Sequence, residues 1–380
     1  MSMIYHKAEN IALAKLLPFE SIAGSLNMER LPAISCADTF PVVKPDDEYK
    51  FLHEAAVIVY HDTIFCSWYN CPSVELEGFT PIRGCCSKDG GRTWSANEVI
   101  AYDPAGKLIY CPPVYGICDD KLYMFINTMV SADHMHSLEL YEYDEATEKF
   151  NFLRSEPLPF KLNTNVCKLA NGKLMLPGRI AEMDSFPSTP AVLISDSGKI
   201  DAPWRLVHIQ PDRELPDGSH LCHPELAAVV LGSEVNIFCR NDMSNVPLLY
   251  RSKDNGESWS GPIAHDIPFT NSKIYAGTLS DNRAYVIGNI ATDEPLPYAA
   301  HSREKLAIFV SEPGTMNFTR GWMLRDGVDH KWNVFPQWSY PSAFESNGKL
   351  YVIYTMLTQR DPDPVHRGAM MSIIDLSQLK

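Results

Sequence analysis

Apolar and polar positions along the chain form a repeated unit of an apolar run, a short polar turn and a second apolar run, and this unit occurs six times. Each run has the length and the β-branched and aromatic content of a strand, and each turn contains residues that tight hairpins prefer. The predicted hairpins cover residues 53–69, 112–127, 165–179, 223–240, 273–289 and 340–355, with turns at residues 61–62, 119–120, 171–172, 232–233, 281–282 and 347–348. The pattern predicts an all-β protein.

A second repeat lies between the hairpins. Its two full copies, residues 87–94 and 252–259, fit S-x-D-x-G-x-[TS]-W. Ser and Asp side chains can bond nearby backbone amides in a turn, Gly supplies a positive φ, and Trp can pack on the hairpin. Weaker copies at residues 195–198 and 311–314, with lost copies near 142 and 370, continue a period of about 55 residues. Hairpins and boxes in phase give four strands per unit, as in a propeller blade; a β-sandwich with fortuitous turns is the alternative.

The motif resembles the Asp-box, and the chain is similar to the sialidase-like (Asp-box, BNR repeat) β-propeller superfamily. The fold expected is a six-bladed β-propeller with four-stranded antiparallel blades. No linker or low-complexity run divides the sequence, so we expect residues 1–380 to form a single β-propeller domain. Residues 1–48 hold no full repeat, and we expect them to close the ring by adding an outer strand to the last blade.

The composition narrows the set of partners. The net charge of −14 makes nucleic acid and anionic membrane surfaces poor partners. No apolar run has the length of a transmembrane helix, and no signal peptide is seen. The 10 Cys include no pair of CxxC motifs, so we expect reduced thiols, no metal and no cofactor in a cytoplasmic protein, with secretion as the alternative.

In a propeller the inner strands of all blades converge on one axis, so residues at their ends can meet although they are far apart in sequence. The resemblance to sialidases implies a nucleophilic tyrosine in the last blade, which here is Tyr340. It also implies an activating glutamate from an earlier blade, which here is Glu225. Because tyrosine is a poor nucleophile at its ordinary pKa of about 10, a carboxylate has to accept its proton.

Arginine is the expected ligand of a substrate carboxylate, because its planar guanidinium donates two parallel hydrogen bonds. Arg240 resembles one arginine of the sialidase triad, and Arg179 holds the equivalent strand end in the third unit. Arg303 enters the outer part of the fifth unit, and Arg83 precedes the first box.

The first hairpin departs from the sialidase pattern. Its inner strand lacks the Arg-Ile-Pro sequence of sialidases, and the Arg-Leu-Pro sequence at residues 30–32 comes too early to replace it. His53 lies near the expected arginine position. Some similar propellers act on glycans that contain rhamnose or uronic acid, as hydrolases or lyases, and there histidine can serve as acid or base. His223 is expected to project to the same strand face as Glu225.

The sequence therefore predicts a carbohydrate-active enzyme, an exo-acting glycoside hydrolase of the sialidase (neuraminidase) superfamily that removes a terminal acidic or deoxy sugar from an oligosaccharide or glycan. The alternatives are a polysaccharide lyase acting on uronic-acid-containing glycans and a non-catalytic glycan-binding propeller. The predicted catalytic residues are Tyr340, Glu225 and His53, and the predicted substrate-binding residues are Arg240, Arg179, Arg303, Arg83 and His223.

Overall fold

The structure is a computed structural model. It describes residues 13–35, 38–44, 48–132, 134–181, 188–210, 212, 214–244, 246–291, 303–327, 337–358 and 366–380. Short 3₁₀ helices cover Met28–Arg30 and Leu376–Leu379. In these ranges no helix combines the length and the apolar character that crossing a membrane would need.

The strands form six sheets. Two strands lie N-terminal to the first blade in sequence, β1 (Phe19–Glu20) and β2 (Asp38–Val43). The first blade contains β3 (Phe51–Tyr60), β4 (Thr63–Cys71), β5 (Ile82–Ser87) and β6 (Glu98–Ala101). The second blade contains β7 (Ile109–Cys118), β8 (Lys121–Ser131), β9 (His134–Asp144) and β10 (Lys149–Glu156). The third blade contains β11 (Phe160–Leu162), β12 (Cys167–Lys168), β13 (Leu174–Ile180), β14 (Thr189–Ser195) and β15 (Arg205–His208).

The fourth blade contains β16 (Leu226–Leu231), β17 (Glu234–Cys239), β18 (Leu248–Ser252) and β19 (Ser260–His265). The fifth blade contains β20 (Tyr275–Thr278), β21 (Ala284–Asn289), β22 (Lys305–Ser311) and β23 (Phe318–Asp326). The sixth blade contains β24 (Gln337–Ser346), β25 (Lys349–Thr358) and β26 (His366–Asp375). Neighbouring blades contact one another around a closed ring: β3 contacts β7, β7 contacts β11, β13 contacts β16, β16 contacts β20, β20 contacts β24, and β24 contacts β3 again. The prediction of a six-bladed propeller with antiparallel blades is confirmed.

Three blades depart from a plain four-stranded meander. In the third blade the inner position is split between β11 and β12, which both pair with β13. The fourth blade gains an outer strand, β1, which runs parallel to β19. The sixth blade takes its outer strand from the N-terminal part of the chain, because β2 pairs antiparallel with β26. That the whole of residues 1–380 forms one domain stays a prediction.

The hydrophobic core is divided among the blade interfaces. Six clusters of buried apolar side chains occur, one between each pair of neighbouring blades. Successive residues of an inner strand point to opposite neighbours: Val57 packs towards the sixth blade and Ile58 towards the second. Because both faces of a blade are covered, both alternating sets of a strand are apolar, which explains the continuous apolar runs in the sequence.

Both full boxes form the same turn between the third and fourth strands of their blades. Asp89 accepts hydrogen bonds from the amide and the hydroxyl of Thr93 at 2.9 and 2.6 Å, and Asp254 accepts the same pair from Ser258 at 2.9 and 2.6 Å. Since the third strand runs away from the end at which the inner strand begins, the boxes lie at the opposite end of their blades. They stabilise blade turns and are remote from the candidate site.

Candidate active site

The candidate site lies at the end of the ring where the inner strands begin. Tyr340 is near the start of β24, Glu225 immediately precedes β16, and Arg240 immediately follows β17. The backbone amide of Arg240 donates a 3.0 Å hydrogen bond to the carbonyl of Glu225. Pairing of β16 with β17 therefore fixes this glutamate and arginine side by side, opposite the tyrosine of the sixth blade.

Arg240 connects the other two side chains. Its Nη1 atom donates a hydrogen bond to Oε2 of Glu225 at 2.7 Å and another to the hydroxyl of Tyr340 at 2.9 Å. The glutamate and the tyrosine are buried, with exposed fractions of 3% and 8%. A potential base and a potential nucleophile thus share one guanidinium in a largely dehydrated place.

The charges around these groups set their protonation. Burial would raise the pKa of Glu225, but the positive charges of Arg240, Lys273 and Arg179 outweigh it and hold this pKa below the ordinary glutamate value. Burial raises the pKa of Tyr340 to about 12, although Arg240 opposes the shift. At neutral pH the glutamate is therefore an ionised acceptor and the tyrosine keeps its proton.

Tyr340 lies in a β-bulge, and the first and second blades have a bulge at the equivalent point of their inner strands. In each bulge two residues oppose a single residue of the partner strand, and these pairs are Tyr340 and Pro341, Glu54 and Ala55, and Cys111 and Pro112. Tyr340 and Glu54 have φ values of 56° and 47°, a conformation that costs on the order of 1–3 kcal/mol for residues other than glycine. Bulges re-aim side chains next to functional sites, and here they bring Glu54 and Tyr340 into the cluster.

Glu54 forms a buried ion pair with Lys273. Neither residue was predicted from the sequence as part of the site. Lys273 Nζ lies 2.6 Å from Glu54 Oε2, and both side chains are less than a tenth exposed. The ammonium also lies 5.8 Å from the ring centroid of Tyr340. Glu54 comes from the first blade and Lys273 from the fifth, so no local pattern in the sequence connects them.

His53 is part of the cluster but lies beneath it. Its ring centroid is 3.9 Å from that of Tyr340, and its Nδ1 atom is 3.1 Å from the hydroxyl of Thr355. Its exposed fraction is 1%. The buried imidazole packs against the tyrosine ring, which suits a role in holding Tyr340 in place.

The four predicted arginines fall into two groups. Arg240, Arg179 and Arg303 act on the cluster: Arg303 has its guanidinium 5.1 Å from the ring centroid of Tyr340, and buried Arg179 lowers the pKa of Glu225. Arg83 instead lies on the third strand of the first blade, where its guanidinium stacks on Tyr49 at 4.4 Å. The exposed Arg30 belongs to a 3₁₀ helix of the N-terminal segment and lies outside the inner strands.

The expected arrangement of His223 and Glu225 on one strand face is wrong. The strand begins only at Leu226, and the amide of Glu225 bonds back to the carbonyl of His223 at 2.8 Å in a turn. The two side chains therefore take different surroundings. His223 is about one third exposed, and its Nδ1 atom lies 2.6 Å from Oδ2 of Asp242, a residue that sequence reasoning missed.

No group of three or more His, Cys, Asp or Glu side chains within the described ranges is arranged to hold a metal ion. A cavity of about 600 Å³ lies inside the ring towards the other end of the inner strands, and its lining includes Asn165, Tyr275 and Glu345. The cluster around Tyr340 lies at the opposite end of the inner strands from this cavity, and it is built from residues of the first, third, fourth, fifth and sixth blades.

The chain is similar to a known protein family and to several solved structures. The search of curated proteins found no match. Among solved structures, an intramolecular trans-sialidase from Ruminococcus gnavus in complex with oseltamivir carboxylate superimposes with a TM-score of 0.66 at 12% identity, over 89% of this chain and 98% of that chain. The Hadza microbial sialidase Hz136 gives 0.65 at 10% identity, over 87% and 67%.

Trypanosoma rangeli sialidase in complex with 2,3-difluorosialic acid, described as a covalent intermediate, gives a TM-score of 0.63 at 13% identity. The match covers 96% of this chain and 60% of the trypanosomal one, so this chain corresponds to somewhat over half of that enzyme. At these identities the likeness is one of fold. The model of the BNR repeat-like domain matches residues 62–352, most of the chain. The chain therefore belongs to the BNR repeat-like domain family.

Proposed function

We propose that this protein is an exo-acting glycoside hydrolase that removes a terminal sugar bearing a carboxylate, through a covalent intermediate on Tyr340 and with retention of stereochemistry. The observation that carries the proposal is the contact of a single Arg240 nitrogen with both Glu225 and Tyr340. A nucleophile, its base and a carboxylate-binding cation are thereby assembled at one point.

The chemistry follows from the protonation states. Glu225 accepts the proton of the Tyr340 hydroxyl while the phenolic oxygen attacks the anomeric carbon, the glycosidic bond breaks and the departing oxygen takes up a proton from a general acid. Water then attacks the same carbon and gives its own proton to the conjugate base of that acid, the bond to Tyr340 breaks, and Glu225 returns its proton to the phenolic oxygen. Arg240 donates to the tyrosine oxygen throughout, and a phenolate is stabilised by such a charge-assisted hydrogen bond.

The charge of the cluster favours an anionic sugar. Arg240, Arg303, Arg179 and Lys273 surround Tyr340 and Glu225 in a chain whose net charge is −14. Among the described residues of the cluster the carboxylates are Glu225 and Glu54, both of which are in ion pairs, and Asp242 beside the cluster is paired with His223. A concentration of cations in an otherwise acidic protein is what recognition of a substrate carboxylate requires. Sialic acid is the first sugar to test, and uronic acids are the next.

A panel of methylumbelliferyl glycosides of sialic, ketodeoxynonulosonic and glucuronic acids tests the proposal, with product stereochemistry followed by NMR. The difluoro analogue of whichever sugar is released should then label the peptide that contains Tyr340, with a gain equal to the mass of the analogue less that of HF. Tyr340→Phe should abolish the adduct, whereas Tyr102→Phe, at an exposed tyrosine, should leave it. Binding of these glycosides without turnover would favour a glycan-binding propeller and overturn the proposal.

Elimination is the competing reaction, and His53 would be its base. The contact of His53 with Tyr340 favours a role of this imidazole in the site, but its burial and its bond to Thr355 favour a positioning role. The two reactions differ in product. A lyase gives an unsaturated uronate that absorbs ultraviolet light and requires His53, whereas the hydrolase gives a saturated sugar and requires Glu225.

A further inference from the structure

His223 and Asp242 form a second polar pair beside the Tyr340 cluster. Nδ1 of His223 lies 2.6 Å from Oδ2 of Asp242, and the exposed fractions of the two side chains are 36% and 8%. The histidine thus reaches solvent while its partner is buried. This combination differs from that of His53, which is buried and bonded to a hydroxyl.

Backbone amides hold the carboxylate of Asp242 in place, independently of its contact with the imidazole of His223. Its oxygens accept hydrogen bonds from the backbone amides of Cys222 at 3.2 Å and of His223 at 3.0 Å. Burial opposes ionisation, but the bond to His223 and the charge of Arg240 lower the pKa of Asp242 to about 2. The aspartate is therefore a fixed anion that orients the imidazole, as in other histidine–carboxylate pairs.

The pair is attached to the same two chain segments as the base and the arginine. His223 is two residues before Glu225, and Asp242 is two residues after Arg240. The segments are joined by the bond from the Arg240 amide to the Glu225 carbonyl. The positive charge of Arg240 lowers the pKa of Asp242 and also that of Glu225, so the same guanidinium influences both pairs.

The proposed hydrolysis needs a proton donor that Tyr340 and Glu225 do not supply. The departing sugar oxygen has to be protonated, while Glu225 is occupied with the proton of Tyr340. Among the described residues of the cluster, Glu54 is buried in its ion pair with Lys273. His223 is the partly exposed group held next to this machinery, and an oriented imidazole can both give and take a proton near neutral pH.

We propose that His223 is the general acid and base of this reaction and that Asp242 positions it, an inference that rests on the proposed function. In the first step His223 Nε2 gives its proton to the glycosidic oxygen as that bond breaks. The bond from Tyr340 to the anomeric carbon forms, and Glu225 takes the tyrosine proton. In the second step the neutral imidazole takes a proton from the attacking water, the bond to Tyr340 breaks, and Glu225 returns its proton.

The test is a series of glycosides of the released sugar whose leaving groups range from dinitrophenol through nitrophenol to an unactivated sugar alcohol. A poor leaving group needs acid assistance and a good one does not. His223→Ala should therefore lose about 10²- to 10⁴-fold in kcat/KM on the unactivated glycoside, a usual contribution of general acid–base catalysis. It should lose little on the dinitrophenyl glycoside. His208→Ala, at an exposed histidine of β15, is the matched control and should resemble the wild type.

Two further measurements separate the possible failures. The difluoro sugar carries fluoride, a good leaving group, so His223→Ala should still be labelled on Tyr340, which shows that the site has folded. Asp242→Asn should steepen the dependence on leaving group in the same direction as His223→Ala. An equal loss of His223→Ala on all leaving groups would overturn the role of His223. Absence of hydrolysis by the wild type throughout the series would instead overturn the proposed function.

Discussion

The guanidinium of Arg240 donates to the hydroxyl oxygen of Tyr340 at 2.9 Å. A tyrosine oxygen that accepts a bond from a cation is stabilised as a phenolate and needs another group to remove its own proton. Burial keeps the pKa of this tyrosine at about 12, so the cation alone does not ionise it at neutral pH. In the proposed reaction Glu225, which is bonded to the same nitrogen of Arg240, accepts that proton.

The first prediction separates the nucleophile from the base. Glu225→Gln should reduce kcat by about 10²- to 10⁴-fold, the range for loss of a general base, because glutamine cannot accept the tyrosine proton. The Glu225→Gln variant should still form the adduct on Tyr340, but slowly. Tyr340→Phe should form none, as measured by intact-protein mass spectrometry after exposure to the difluoro sugar. Full activity of both variants on every glycoside would exclude this site.

The second prediction concerns pH. The pKa of Glu225 is held below the ordinary glutamate value by Arg240, Lys273 and Arg179 against the effect of burial. The base works when ionised, so kcat/KM should persist as pH falls through the ordinary glutamate range and decline only below it. Lys273→Met removes one of the cations, which raises the pKa of Glu225 and moves this acidic limb to higher pH. Lys199→Met, at an exposed lysine, should leave the limb unchanged; equal limbs in both variants would contradict the electrostatic account.

Much of the fold was predictable because its signals are local. The turns around Gly172 and Asn347 and the boxes ending in Trp94 and Trp259 need only a few adjacent residues to define them. The period then gives the number of blades. The alternation of apolar side chains between two neighbouring blades follows from the period of a strand.

The site was only partly predictable because its contacts cross the ring. Tyr340, Glu225 and Arg240 could be proposed from a resemblance, but the pair of Glu54 and Lys273 depends on a bulge and on two blades meeting at the axis. A bulge changes which way a side chain points, and an alternating pattern contains no sign of it. The bond of His223 to Asp242 was missed for a similar reason, since a turn replaced the expected strand.

The third prediction tests the buried ion pair. Glu54→Gln or Lys273→Met leaves one buried charge without its partner, which should reduce the free energy of unfolding by about 3–5 kcal/mol. The double variant leaves no such charge and should lose less than the sum of the two. Urea unfolding of the four proteins measures the coupling. Additive losses in this cycle would show that the two side chains do not interact in the folded protein.

The fourth prediction concerns the boxes. Trp94 packs on the apolar cluster between the first and sixth blades but is only partly buried. Trp94→Ala should therefore reduce the free energy of unfolding by about 1.5–3 kcal/mol, the range for an apolar side chain removed from water. The kcat of the folded fraction should not change, because the box lies at the opposite end of the blade. A variant with wild-type stability and a selective loss of activity would contradict the structural role of the box.

The fifth prediction compares two arginines. Arg303 lies over the ring of Tyr340, whereas Arg83 stacks on Tyr49 in the outer half of the first blade. If Arg303 binds the substrate carboxylate, Arg303→Met should raise KM for the acidic glycoside by about 10- to 100-fold, the equivalent of one charged hydrogen bond. It should raise KM much less for a glycoside in which the carboxylate is replaced by its amide. Arg83→Met should alter neither KM, because the Arg83 guanidinium lies over Tyr49 and 3.5 Å from Oδ1 of Asn70 within the first blade. An equal effect of Arg303→Met on the acid and the amide would show that this guanidinium supports the tyrosine ring and does not select the substrate charge.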